Sequence, residues 1–261
     1  MSRVHPTAIV EEGARLGQDC VIGPFCVVGA QVELGDRVEL KSHVVVTGRT
    51  RVGADTVIFP FAVIGEIPQD LKYHGEDSRL EIGARNRIRE YVTMNPGTEG
   101  GGGVTRVGDD CLFMVGAHVA HDVQVGNRCI IVNNVPLAGH VVLEDDVIVG
   151  GNAGIHQWVR VGRGAIIGGM AKVTRDVIPY GQVQSPAGTL EGLNLIGLKR
   201  RGVPREEISA LRKAFRDLAE GDGNFQDRAR RLRETTDSAY VREIADFILA
   251  DSGRSFLTPG D

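Results

Sequence analysis

The residues best suited to acid–base chemistry in this chain are its histidines, because an imidazole gains and loses a proton near neutral pH. There are seven, and four of them, His118, His121, His140 and His156, fall in one stretch of sequence. His121 is followed directly by Asp122, and a carboxylate beside an imidazole suits general-base catalysis. We therefore predict that His121 is the catalytic base of an enzyme.

Aliphatic residues at every sixth position indicate the scaffold that must hold these histidines. The first run is Val4, Val10, Leu16, Ile22, Val28, Leu34, Leu40, Val46, Val52, Ile58 and Ile64. A second run is Val107, Phe113, Val119, Val125, Ile131, Leu137, Leu143, Val149, Ile155, Val161, Ile167 and Val173, with Ile82, Ile88 and Met94 between the two. A period of six fits neither an α-helix nor a simple alternating strand. It predicts a solenoid of short strands and turns whose aliphatic residues fill the bore.

A second slot, four positions after each aliphatic residue, holds small or β-branched side chains. All four cysteines, Cys20, Cys26, Cys111 and Cys129, fall in this slot. We expect them to be small buried hydrophobic residues and not nucleophiles. The sequence also has no Gly-x-Ser-x-Gly nucleophile motif, so a covalent intermediate on the enzyme is not expected.

Two segments, 66–81 and 95–106, break the period and are predicted to leave the solenoid as loops. Loops on a rigid scaffold often carry function. After residue 185 the pattern becomes helical, with apolar residues at helical spacing following Pro204 and again from Tyr240. We predict two domains, a β-solenoid at 1–185 and a helical C-terminal domain at 186–261.

Charge and composition exclude several classes of protein. The formal net charge of −4 offers no broad positive surface for nucleic acid. No apolar run approaches the length of a transmembrane helix, and the start of the sequence lacks a signal-peptide pattern. We therefore expect a cytoplasmic protein that needs no nucleic acid and has no transmembrane segment.

The hexads, such as Ile22-Gly-Pro-Phe-Cys-Val and Val125-Gly-Asn-Arg-Cys-Ile, resemble those of the hexapeptide-repeat acyltransferases. The stretch Gly116-Ala-His-Val-Ala-His-Asp is similar to the motif of one branch, the UDP-N-acetylglucosamine 3-O-acyltransferases. Leu137-Ala-Gly-His and Gly197-Leu-Lys-Arg-Arg-Gly also resemble that branch. The resemblance implies a mainly β fold, a left-handed parallel β-helix with 18-residue coils, and a homotrimer with active sites between subunits.

With 18 residues per coil, positions 18 apart lie directly above one another. Gly139 then lies over His121, and His140 lies over Asp122, while Gln157 ends the His121 column. A glycine above the base offers an accessible backbone N–H. We expect Gly139 to stabilise the oxyanion of a tetrahedral thioester intermediate.

The resemblance also implies the reaction and the roles of particular residues. His121 would remove the proton from the sugar 3-hydroxyl, which attacks the thioester of a 3-hydroxyacyl chain on acyl carrier protein, in the first step of lipid A biosynthesis. Asp122 would orient the imidazole, and no cofactor or metal is required. The inherited substrate contacts are Asp70 and Lys72 near the sugar, His118, His140, His156 and Gln157 in the cleft, and Asn194, Arg200 and Arg201 near the nucleotide.

Two positions depart from the branch. Asn95-Pro96 stands where the branch usually has His-Arg, and Ile196 stands where it usually has glutamate near the nucleotide. The acyl chain needs an apolar groove whose depth is set by a column of side chains. Gly151 and Gly169 are predicted to line it. Gly169 would leave the groove open for a longer chain, whereas Met170 beside it would shorten the groove.

Three alternatives remain at this point. Another hexapeptide-repeat enzyme could transfer an N-acyl or acetyl group to a sugar nucleotide, and the acceptor could carry an amine at the 3-position. A carbonic-anhydrase-like metal lyase would need histidines two whole coils apart; no pair here is separated by 36 residues, and the nearest, His121 and His156, differ by 35. A purely structural solenoid would show flat threonine ladders and no histidine cluster.

Overall fold

Short parallel strands wind the chain into a left-handed β-helix, followed by a small helical part, as the sequence predicts. The computed structural model describes residues 2–250 and 252–259. The strands in chain order are β1 Arg3–Val4, β2 Ile9–Val10, β3 Arg15–Leu16, β4 Val21–Ile22, β5 Val27–Val28, β6 Glu33–Leu34, β7 Glu39–Leu40, β8 Val45–Val46, β9 Arg49–Val52, β10 Val57–Ile58, β11 Val63–Ile64, β12 Arg79–Ile82, β13 Arg87–Ile88, β14 Thr93–Met94, β15 Val104–Val107, β16 Leu112–Phe113, β17 His118–Val119, β18 Gln124–Val125, β19 Ile130–Ile131, β20 Pro136–Leu137, β21 Val142–Leu143, β22 Ile148–Val149, β23 Gly154–Ile155, β24 Arg160–Val161, β25 Ile166–Ile167, β26 Lys172–Val173, β27 Gly181–Gln184 and β28 Thr189–Leu193.

Successive strands belong to three sheets in rotation, which makes each coil triangular. Sheet A starts at β1, sheet B at β2 and sheet C at β3, and each takes every third strand until the last coil, where β27 and then the antiparallel β28 join sheet A. Val21 pairs with Glu39, and Glu39 with Val57, which confirms the 18-residue coil. We name the corners after the sheets they join, so the B–C corner includes 121–122, 139–140 and 157–158.

The aliphatic column fills the bore because only apolar side chains can leave water there without losing hydrogen bonds. From Ile22 onward its members are almost fully buried, and all four cysteines are free and buried beside it. In the first coil Val10 and Leu16 are half-buried, and Val4 has 45% of its surface exposed. The period predicts an interior position there, but among the described residues β1 pairs with β4 on one side only.

The two predicted loops do leave the coil, but both end three residues earlier than the sequence indicates. The chain re-enters sheet C at Arg79 in β12 and at Val104 in β15. Leu80 and Thr105 are buried in these longer strands. Each lies two positions before an aliphatic residue of the column, Ile82 or Val107, in the slot that small or β-branched residues occupy elsewhere. The repeat therefore resumes before that aliphatic residue is reached.

The helices are α1 Leu195–Arg200, α2 Arg205–Glu220, α3 Phe225–Thr235 and α4 Ala239–Leu249, and a short 3-10 turn spans Glu99–Gly101. Asn224 and Ser238 cap α3 and α4 by accepting from backbone N–H groups. The apolar faces of α2 and α4 are buried. Arg160 of β24 donates to the buried Asp176 at 2.8 Å and lies over the Phe247 ring of α4, which ties the helices to the last coils.

Among the described residues, no helix is both long and apolar enough to span a bilayer.

Candidate functional site

One column of residues at the B–C corner holds five of the predicted site residues. Both loops leave the coil at this corner, just before the coils that carry His121 and Asp122, then Gly139 and His140, then Gln157 and Trp158. The stacking is direct, since the His140 amide donates to the His121 carbonyl at 3.1 Å and the Trp158 amide to the Gly139 carbonyl at 3.2 Å. Regular coil geometry therefore fixes the spacing of these side chains.

His121 and Asp122 form a buried hydrogen-bonded pair. The His121 Nδ1 lies 2.8 Å from Asp122 Oδ2, and both residues are more than nine-tenths buried. Thr98 of the second loop donates to the same carboxylate through its amide at 2.9 Å and its hydroxyl at 2.6 Å. A carboxylate accepts and cannot donate when ionised, so this arrangement places the His121 proton on Nδ1 and leaves Nε2 as an acceptor.

Gly139 lies against the His121 ring, as the stacking predicts. A Cβ at position 139 would lie 2.6 Å from His121 Nε2, so only glycine leaves room for the imidazole in this orientation. Within the described part of the chain, the Gly139 N–H has no hydrogen-bond acceptor assigned to it. A backbone N–H is one of the donor groups from which an oxyanion hole can be built.

His140 packs between the base and an exposed tryptophan. Its ring meets that of His121 edge-on at 5.0 Å and stacks on that of Trp158 at 3.7 Å with an interplanar angle of 4°. Burial lowers the pKa of His140 below the usual histidine value. The neutral form is therefore favoured at neutral pH, and a neutral imidazole can serve as a hydrogen-bond donor.

His118 lies on the same coil as His121, and His156 lies on the same coil as Trp158. The His118 Nδ1 is 2.7 Å from the Thr93 hydroxyl, and partial burial lowers the His118 pKa. Arg254, in the segment after α4, donates to His156 Nδ1 at 2.6 Å and to the Gln157 carbonyl. A guanidinium only donates, so His156 Nδ1 is the acceptor in its contact with Arg254.

Two cavities meet at the stacked rings of His140 and Trp158. The first, of about 570 Å³, is lined on its other side by Asp70, Lys72 and Thr98. The second, of about 740 Å³, runs along sheet C past Asp122 to Arg160 and Arg254. The Asp70 carboxylate reaches to 3.9 Å from His121 Nε2. Asp70 of the first loop therefore lies beside His121, and Lys72 lines the same cavity as Asp70.

His121, Asp122 and His140 are also the one group, among the described residues, whose side chains could hold a metal ion, with their ligand atoms within 4.8 Å of one another. Asp122 Oδ2 already accepts from Thr98 and His121. A metal ion would have to displace these hydrogen bonds. The arrangement fits a hydrogen-bonded base better than a metal centre.

The other predicted contacts lie at different corners of the same chain. Asn194 caps α1 and its side-chain amide donates to the Gly164 carbonyl at the C–A corner, and Arg201 lies close to Gly164 as well. Arg200 is the last residue of α1. Gly151, Gly169 and Met170 stack at the A–B corner, where the Met170 side chain is exposed. A single chain does not bring these residues to His121.

Sequence reasoning missed three residues at the site: Thr98, Trp158 and Arg254. Trp158 could have been found, because it lies 18 positions after His140 and is the only tryptophan in the chain. Thr98 lies in a loop that has no period. Arg254 reaches the site only through the path of the chain after α4, for which the sequence carries no signal.

Comparison with known proteins matches both parts of the chain. Residues 176–257 match a family model described as UDP N-acetylglucosamine O-acyltransferase, domain 2, and residues 2–48 and 105–135 match the bacterial transferase hexapeptide. Residues 140–169 match the hexapeptide repeat of succinyl-transferase.

Several relatives are named acyl-[acyl-carrier-protein]–UDP-N-acetylglucosamine O-acyltransferase. The protein from Paracoccus denitrificans is 67% identical over 75% of this chain and 74% of its own length. That from Rhizobium johnstonii is 50% identical over 99% of this chain and 95% of its own length. The crystal structure of the Francisella novicida UDP-N-acetylglucosamine acyltransferase is similar, with a TM-score of 0.95 and 36% identity, over 99% of this chain and 95% of that one.

Proposed function

The chain belongs to the UDP-N-acetylglucosamine O-acyltransferase family, and from this premise we propose that it moves a 3-hydroxyacyl chain from acyl carrier protein to the 3-hydroxyl of UDP-N-acetylglucosamine, with His121 as general base. This reaction is the first step of lipid A biosynthesis. The observation that carries the residue assignment is the buried His121–Asp122 hydrogen bond, which leaves Nε2 free beside Gly139.

The proposed reaction transfers the acyl group directly. His121 Nε2 takes the proton from the sugar hydroxyl while that oxygen forms a bond to the thioester carbon. The negative charge that develops on the carbonyl oxygen is stabilised by the Gly139 N–H. When the intermediate collapses the C–S bond breaks, and the imidazolium returns its proton to the departing thiolate of the carrier protein.

Asp122 supports this cycle in two ways. It fixes the tautomer of His121, and its negative charge stabilises the imidazolium that forms after proton transfer. The hydrogen bond between the two side chains is 2.8 Å long and shielded from water, and the attraction between opposite charges is stronger in such surroundings. General-base catalysis of this kind contributes about 10²- to 10⁴-fold to the rate.

We assign the acceptor sugar to the 570 Å³ cavity. Asp70 and Lys72 line it on one side, His140 on the other, and it opens toward His121. An aspartate and a lysine can hold sugar hydroxyls as acceptor and donor. His118, His156 and Gln157 on the adjoining coils would complete the cleft.

We further propose that the enzyme is a homotrimer whose active sites lie between subunits. One chain carries the catalytic pair at the B–C corner, the nucleotide residues Asn194 and Arg201 at the C–A corner, and the groove residues Gly151, Gly169 and Met170 at the A–B corner. A ring of identical chains can bring different corners of neighbouring prisms together. We expect the enzyme to work in the cytoplasm, where nucleotide sugars and acyl carrier protein are found.

The test offers UDP-N-acetylglucosamine and a 3-hydroxyacyl carrier protein to the wild type and to His121→Ala. We expect the wild type to form the 3-O-acyl product and His121→Ala to lose about 10²-fold or more in kcat. His5→Ala is the matched control, because His5 is exposed in the first coil, and should behave as wild type. Near-native turnover by His121→Ala would remove the base assignment, and a wild type inactive toward this pair of substrates would remove the proposed function.

A further inference from the structure

The glycine-rich loop, residues 95–103, is packed directly onto the carboxylate of Asp122. A Cβ at Gly101 would overlap the carboxyl carbon of Asp122, and a Cβ at Gly97 would lie 2.7 Å from Asp122 Oδ1. A side chain at either position would push the loop and the carboxylate apart. The glycines therefore allow the loop backbone to approach the catalytic pair as closely as it does.

Between these glycines, Thr98 holds both oxygens of the carboxylate. Its amide donates to Oδ1 at 2.9 Å and its hydroxyl to Oδ2 at 2.6 Å. Oδ2 is also the atom that accepts from His121 Nδ1 at 2.8 Å. Thr98 is buried, with only 6% of its surface exposed, so water does not compete for these bonds. With both oxygens held, the carboxylate cannot rotate away from the imidazole.

Thr98 is itself held by the turn that it begins. Its carbonyl accepts from the Gly101 amide at 3.0 Å and from the Gly103 amide at 2.8 Å. The next residue, Glu99, donates its amide to the Glu76 carboxylate of the first loop at 3.4 Å. The threonine is thus part of an ordered turn that rests on both the coil and the neighbouring loop.

We propose that Thr98 is a positioning residue for the acyl transfer, which acts through Asp122 to fix the orientation and the tautomer of His121. This inference rests on the proposed function of His121 as the base. Hydrogen bonds to an ionised carboxylate are about twice as strong as those between neutral groups. The two that Thr98 supplies hold the Asp122 carboxylate aimed at Nδ1, so that Nε2 stays directed at the substrate.

The charges around Asp122 determine what the loss of the hydroxyl would do. His121 faces Oδ2 directly, His140 Nδ1 lies 3.8 Å from Oδ2, and Asp70 approaches His121 from the first loop. Without the Thr98 hydroxyl, Oδ2 accepts one hydrogen bond fewer, so its negative charge is less stabilised. The His121–Asp122 pair would then bind a proton more tightly, and the inactive protonated form would persist to higher pH.

The experiment compares Thr98→Val, which removes the hydroxyl and keeps the branched shape, with Thr98→Ser, which keeps the hydroxyl. We expect Thr98→Val to lower kcat about 10- to 100-fold with KM for UDP-N-acetylglucosamine unchanged, since a hydrogen bond to a charged group is lost. The acid limb of its pH–rate profile should move to higher pH. Thr98→Ser should recover most of kcat and the wild-type profile.

Thr50→Val is the control for the loss of a buried threonine hydroxyl. The Thr50 side chain is as deeply buried and donates to the Thr47 carbonyl at 2.7 Å, far from the catalytic pair. It should change thermal stability and leave the pH–rate profile alone. If Thr98→Val does not fold, Thr98→Ala takes its place, because it also removes the hydroxyl and keeps the amide.

The inference is overturned if folded Thr98→Val keeps the wild-type kcat and acid limb, or if Thr98→Ser is as impaired as Thr98→Val. These results differ from a failure of the proposed function. That failure would appear as an inactive wild type or an active His121→Ala, whereas the inference alone fails when His121→Ala is inactive and Thr98→Val is normal.

Discussion

Replacing Gly139 by alanine tests the position of the base without removing any catalytic group. The new Cβ would lie 2.6 Å from His121 Nε2 and 2.5 Å from Cε1, whereas ordinary contact begins at 3.4 Å. The imidazole must therefore retreat by about 0.8 Å, and a displacement near 1 Å in a catalytic group costs about 10²-fold in rate. The Gly139 φ angle is not positive, so alanine adds no backbone strain and the N–H remains.

We expect Gly139→Ala to lower kcat about 10²-fold, or about 2.7 kcal/mol in the activation barrier, and to leave KM for the nucleotide sugar close to wild type. The assay is steady-state acyl transfer with thermal unfolding measured in parallel. Gly154→Ala is the matched control, because a Cβ there meets nothing within 4 Å. A folded Gly139→Ala enzyme with wild-type kcat would refute the placement of His121 against Gly139, and an equal loss in Gly154→Ala would show that the effect is not specific.

Four further outcomes are expected. Trp158→Ala removes the ring that stacks on His140 and should lower kcat/KM about 10-fold, because a stacked aromatic pair contributes about 0.5–1.5 kcal/mol. Trp158→Phe keeps an aromatic ring and should stay near wild type. An equal loss in both variants would contradict this expectation. Chelating agents should leave turnover unchanged, since Asp122 Oδ2 is occupied by Thr98 and His121; loss of activity that zinc restores would point to a metal centre. Gly169→Met should shift the preferred acyl chain to a shorter one in a chain-length series, and an unchanged preference would reject the groove assignment. Burial lowers the pKa of both His118 and His140, so between about pH 7 and pH 5 the unfolded chain binds more protons than the folded one. The free energy of unfolding should therefore fall as the pH drops through this range. In His118→Gln the free energy of unfolding, measured with urea, should depend less steeply on pH.

The fold was largely readable from the sequence because a solenoid repeats one local pattern. Each hexad contributes the same inward aliphatic residue and the same small residue, so a single period predicts the bore, the turns and the places where loops leave. The period was a poorer guide to burial in the first described coil, at Val4, Val10 and Leu16, and where the chain re-enters the coil, at Leu80 and Thr105. Burial at those positions depends on the neighbouring coils and loops and not on the repeat pattern.

The same regularity made part of the site predictable. With the 18-residue coil that the family resemblance implies, counting residues places Gly139 over His121, and the two are in contact in the structure. The reaction itself came from resemblance, and the comparisons with known proteins support it. Trp158 was within reach of the same counting, since it stacks on His140.

By itself the sequence determined the six-residue repeat and the helical C-terminal pattern, and with the 18-residue coil that the family resemblance implies it also placed Gly139 over His121, because these features depend on residues at fixed spacing along the chain. Only the tertiary structure placed Thr98 on Asp122 and Arg254 on His156. Thr98 lies in a loop outside the repeat, and Arg254 lies in the segment after α4. Their contacts with the coil therefore depend on the path of the whole chain. The tertiary structure likewise decided that Asn194 and Gly169 lie at different corners from His121, because the corner a residue occupies depends on the folded coil and on the lengths of the loops inserted in it.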